Sequence, residues 1–151
     1  MRSALILGAC SVLALAGPGT VSAHERLPSG VRQVDITAGY RGQRPITSVH
    51  VTGTAKVRTI VRWLDELRQA PTGTYHCPAL TAGLARVTFT FRAEHGAVLA
   101  RARMIELTHV AGPCNPIVLT LHGHAQKPLA GSFVGRVQRL IGARLLLPRR
   151  G

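Results

Sequence analysis

Gly73-Thr74-Tyr75-His76-Cys77-Pro78 separates two stretches of different periodicity, and reading it as a boundary decides the fold. Before it, Val57, Ile60, Val61, Leu64 and Leu67 recur at helical spacing and form one apolar stripe. Lys56, Arg58, Arg62, Asp65, Glu66 and Arg68 lie largely off that stripe, and Trp63 borders it, where partial burial is expected. The Thr54 hydroxyl is placed to cap the helix, and Pro71 with Gly73 ends it. Pro78 pushes Cys77 toward an extended conformation, so the hexapeptide hands the chain from helix to strand.

Beyond it the period becomes two. Val87, Phe89 and Phe91 alternate with Arg86, Thr88, Thr90 and Arg92. Val98, Ala100, Ala102 and Met104 alternate with Leu99, Arg101 and Arg103, and the phase slips near Ile105. Ile117, Leu119 and Leu121 alternate with Val118, Thr120 and His122. One-sided alternation of this kind predicts an antiparallel sheet with one face in the core.

Upstream, Ile46–Thr52 reads as a strand with Val49 and Val51 inward. Residues 24–45 read as a flexible N-terminal segment in which Val31–Thr37 can form a further strand. Downstream, Leu129, Phe133, Val137, Leu140 and Ile141 give an amphipathic helix at about Gly131–Arg144. Gly135 and Gly142 each weaken it by about 1 kcal/mol relative to alanine. The order β-β-α-β-β-β-α predicts an α+β fold. It is a two-layer sandwich with a mainly antiparallel sheet of four to five strands, two helices on one face and one disulfide. Residues 46–147 form a single domain, and 148–151 are a basic tail.

The N-terminus reads as a secretory signal. Arg2 precedes an apolar run from Ala4 to Ala16, then Gly17-Pro18-Gly19 and the small residues Val21-Ser22-Ala23. The run is shorter than the ~20 residues that span a bilayer. Cleavage after Ala23 would export a chain beginning at His24. Leu7-Gly8-Ala9-Cys10 outlines a lipoprotein site with Cys10 as lipid anchor, a minor alternative because the apolar run continues past Cys10.

Export leaves Cys77 and Cys114, the latter in Gly112-Pro113-Cys114-Asn115-Pro116, and an oxidising compartment favours a disulfide between them. The chain-entropy model gives a loop of this length about 4 kcal/mol. A zinc site or a reactive thiol is the functional alternative. His76 stands beside Cys77 and His122 alternates with His124, yet no Cys-x-x-Cys or His-x-x-x-His spacing is present. The expectation is therefore no metal and no cofactor.

The 151 residues carry 19 Lys and Arg against 6 Asp and Glu, a formal net charge of +13. Such a field attracts an acidic protein or a cell-wall polyanion. Arginine accounts for 17 of the basic residues in an Ala-, Gly-, Leu- and Val-rich chain, so GC-rich coding is a competing source of the charge. Ser29, Ser48 and Ser132 lack a Gly-x-Ser-x-Gly setting. Asp65 and Glu66 point about 100° apart on their helix and form no hydrolytic pair. These observations favour a non-catalytic binding module.

Arg86, Arg92, Arg101 and Arg103, with Thr88, Thr90, Thr120 and His122, fall on the polar sheet face. Guanidinium forks there would suit carboxylates or phosphates. A plain solvated face is the alternative, and no aromatic residues interleave the arginines as single-stranded nucleic-acid recognition would require.

Two resemblances accompany these readings. Val49-x-Val51, the Lys56–Leu67 helix, Gly73–Pro78, Val87-Thr88-Phe89-Thr90-Phe91 and Cys114 together resemble small secreted proteins of high-GC actinobacteria. In that group a helix precedes a Cys-Pro, two strands and a second Cys, and the likeness implies fold and export without a site. Pro116–Gly123 after Cys114 resembles the segment following the inhibitory loop of Streptomyces subtilisin inhibitors. That likeness implies a serine-protease inhibitor. Only Asn115 separates Cys114 from Pro116, leaving no room there for an exposed cleavage loop, and this chain has one candidate disulfide where that family has two.

Overall fold

A computed structural model describes residues 24–76, 85–105 and 114–146. The expected secretory signal with Cys10, the Cys77 end of the expected disulfide and the expected basic tail lie outside the described residues.

The strands are β1 (Gln33–Tyr40), β2 (Thr47–Val51), β3 (Arg68–Gln69), β4 (Ala85–Arg92), β5 (Val98–Ile105), β6 (Ile117–Leu121), β7 (His124–Ala125) and β8 (Leu129–Ala130). The helices are α1 (Thr54–Asp65) and α2 (Phe133–Ile141). All strands join one sheet in the order β2-β1-β4-β5-β6-β8-β3, with β7 paired to β6, and every pairing is antiparallel. The expected sheet of four to five strands is corrected to 8. β3, β7 and β8 have two residues each, too few to display an alternating period, and tertiary pairing alone makes them strands.

β1 lies between β2 and β4 and alternates strictly through Ala38. Its inward residues stand opposite those of its neighbours. One row runs Val49, Ile36, Phe89, Ala102, Leu119, and the next runs Val51, Val34, Phe91, Ala100, Leu121. These rows, with Val57, Ile60 and Leu64 of α1 and Phe133, Val134 and Val137 of α2, make one core cluster. The Phe133 ring meets that of Phe89 with centroids 4.9 Å apart and planes tilted by 58°, a geometry aromatic quadrupoles favour.

α1 ends at Asp65, and the Leu67 position of its apolar stripe already belongs to the turn into β3. Gly53 takes the N-cap position, and no side chain caps the first turn. α2 is closed by Gly142 at φ 67°, whose amide donates to the Gln138 carbonyl 3.0 Å away. The residue that weakens a helix interior therefore serves here as its left-handed terminator. Arg136 of α2 lies 4.3 Å above the Trp63 ring and 3.7 Å from Glu66, linking the two helices. Gln138 Oε1 accepts from the amides of both Leu145 and Leu146, at 2.8 and 3.0 Å, and folds the following segment back onto the core.

Candidate functional site

The strand register builds the outer sheet face as it builds the core. On one outward row His50 stands opposite Asp35, then Thr90, Arg101 and Thr120. On the adjacent row Ser48 is followed by Thr37, Thr88, Arg103 and Val118. Short hydroxyl side chains floor the middle of the face, and Arg101 with Arg103 rises along β5. Both guanidinium-bearing residues are exposed. They sit two positions apart on one strand, hence about 7 Å along it.

Arg92 occupies a different environment. It lies diagonally from Asp35 across the β1–β4 pair, within reach of a long side chain. Its Nε–H donates to Asp35 Oδ2 at 2.5 Å, and an Nη–H donates to the Gly96 carbonyl at 2.8 Å. His50 Nδ1–H donates to Asp35 Oδ1. Burial of the Asp35 carboxyl raises its pKa, but hydrogen bonds from Arg92 and His50 and their charges outweigh that and hold it below the ordinary value. Arg92 is thus spent internally, and the bulge between Phe91 and Arg92 sets it apart from the threonine rows.

Arg86 lies opposite Gly39 and Ile105, one row beyond Thr88 and diagonal to Arg103. Its Nε is buried and has no hydrogen-bond partner among the described residues. Of the four arginines expected on this face, Arg101 and Arg103 have no carboxylate partner among the described residues, Arg86 flanks them, and Arg92 is anchored by Asp35. Asp35 and His50 were the members of this network that sequence reasoning left out. The signal available was the position of Asp35 between the inward Val34 and Ile36, which turns its carboxyl outward; its partner on β4 depends on register.

His122 is the first residue of a two-residue turn joining β6 to β7, with φ 47° there and φ 84° at Gly123. Positive φ at both positions is the signature of the tight turn that matches hairpin twist. His122 and His124 are both exposed at this hairpin end. Among the described residues, no three of His, Cys, Asp and Glu gather as a metal site. Asn115 is buried, and the Pro116–Gly123 segment contains the sheet strand β6. Among the described residues no helix is long and apolar enough to cross a membrane.

Comparison with protein-family models, with curated proteins and with solved structures finds no match for this chain.

Proposed function

We propose that this chain is an exported, non-catalytic binding module whose outer sheet face docks a cell-wall polyanion through Arg101 and Arg103, with Arg86 beside them. The observation that carries this reading is the register of β5. It sets two exposed arginines side by side on a flat, hydroxyl-lined face, and among the described residues neither is paired with a carboxylate. A polymer whose anions recur at about 7 Å can engage both at once, because the strand fixes that interval. Guanidinium forks bind phosphates and carboxylates bidentately, and the threonines between them offer donors without steric relief. The protein's net positive charge draws such a polymer toward the face from a distance.

Retention on heparin in about 0.5 M salt tests the reading, since general surface attraction is heavily screened there. The native protein should be retained, and the Arg86→Ala/Arg101→Ala/Arg103→Ala variant should elute markedly earlier. An unchanged elution position for a folded triple variant would remove the sheet face from the argument. Loss of retention on an anionic polymer column alongside preserved capture by an acidic protein would reassign the partner class.

A further inference from the structure

The helix side of the molecule holds a second, separate feature. Residues 26–32 run beside α1, leaving an open groove of about 850 Å³ between them. Its floor is made by Leu27, Val31 and Val57, all buried in the core, with the half-buried Val61 beside them. Its rims carry Arg26 and Arg32 on one side and Arg58 and Arg62, one helical turn apart, on the other. All four arginines are exposed.

The charge along this groove is mainly positive. At the α1 C-terminal end, Asp65 Oδ1 accepts from the Leu27 amide at 3.0 Å, and Glu66 stands 3.7 Å from both Arg62 and Arg136. Both carboxylates there are engaged, and Asp65 holds the arm against the helix. Arg26, next to Leu27 in the chain, and Arg32 and Arg58 meet no carboxylate among the described residues. The first turn of α1 contains no acidic residue and does contain Lys56, so the helix dipole adds to the positive potential at its start.

We infer that this groove is a docking site for a short, extended acidic peptide of a partner protein, with apolar side chains on the aliphatic floor and carboxylates on the arginine rims. The α1 stretch lining it, Ala55–Glu66, is about 16 Å long at helical rise, which matches roughly five extended residues. A purely anionic polymer would use the rims alone, whereas alternating Glu and Val side chains can also cover the apolar surface at Val61 and between the rims. A second copy of this chain is a poor occupant, because with 6 acidic residues among 151 it brings the same charge to the same place. The site is independent of the sheet face, and either can fail without the other.

The test is binding of a fluorescein-labelled, end-blocked Glu-Val-Glu-Val-Glu peptide to the full chain in 0.15 M salt, followed by anisotropy. Arg26→Glu/Arg58→Glu should weaken binding at least tenfold. Arg101→Glu/Arg103→Glu should change it by less than twofold, and the reverse pattern should hold for heparin retention. A Glu-Ser-Glu-Ser-Glu peptide should bind at least fivefold more weakly than the valine peptide. If the charge-reversed groove variant loses its native thermal transition, Arg26→Gln/Arg58→Gln replaces it, with the same expectation reduced to about threefold. Equal binding by the two peptides, equal loss from groove and sheet variants, or unchanged binding to a folded groove variant would overturn the inference. So would a concentration-dependent dimer that the groove variant abolishes, because the occupant would then be a second copy.

Discussion

The Asp35 carboxylate accepts the Arg92 Nε–H at 2.5 Å, joining the middle of β1 to the bulged end of β4. Folding favours the ionised form of Asp35: burial raises its pKa, but it lies below its ordinary value because Arg92 and His50 donate to the carboxylate. A group with a depressed folded pKa contributes stability that is complete above its unfolded pKa and is lost as pH falls through the folded one. Stability should therefore decline below about pH 4, and Asp35→Asn should flatten that part of the profile while costing about 1–2 kcal/mol at neutral pH. Urea unfolding at pH 7, 4 and 3 measures both effects; identical pH profiles for the two proteins would contradict the assignment.

The four arginines of the outer face should separate into two classes. Arg92→Ala strips Asp35 of its principal donor and should destabilise by about 1–3 kcal/mol. Arg101→Ala and Arg103→Ala touch no internal partner among the described residues and should stay within about 0.5 kcal/mol of the native protein. Their effect should appear as earlier elution from heparin. Thermal melts and column retention on the same three proteins provide the comparison.

Phe133 fills the space between α2 and the sheet and is fully buried against Phe89. Phe133→Ala should cost about 3–5 kcal/mol from lost transfer energy and the cavity left behind. Phe133→Leu keeps much of the volume and should cost less than half as much. Denaturant midpoints with unchanged m-values would identify this as a stability effect.

Gln138 is the single acceptor for two backbone amides beyond α2. Gln138→Ala leaves both without that partner and should cost about 1–3 kcal/mol. Its signature is local. Amide exchange at Leu145 and Leu146 should accelerate far more than exchange in β4 or β5.

A thiol titration tests the expected Cys77–Cys114 disulfide. No free thiol should react before reductant and two should react after it. Reduction should lower stability by up to about 4 kcal/mol if the loop-closure model holds. Two reactive thiols in the unreduced protein would reopen the metal reading.

The long elements were legible because their side chains carry the period of their environment. Val87-Thr88-Phe89-Thr90-Phe91 has one face to bury and one to expose, and it does both in β4. Val57, Ile60 and Leu64 do the same for α1. Arg68–Gln69, His124–Ala125 and Leu129–Ala130 were illegible for the opposite reason. A two-residue strand has no period, and a neighbouring edge supplies its hydrogen bonds. The groove beside α1 was hidden as well, since Arg26 and Arg58 line it together only because the arm packs along α1, where Asp65 accepts from the Leu27 amide.

The hexapeptide Gly73–Pro78 remains the point where helical spacing gives way to strand spacing, and the sequence alone determined that change, the apolar faces and the excess of positive charge. Only the tertiary structure decided which strands are neighbours. That choice sets Asp35 beside Arg92 and leaves Arg101 and Arg103 without a carboxylate among the described residues. Periodicity specifies which way a side chain points, whereas charge pairing across a sheet depends on register, which forms only when distant strands meet.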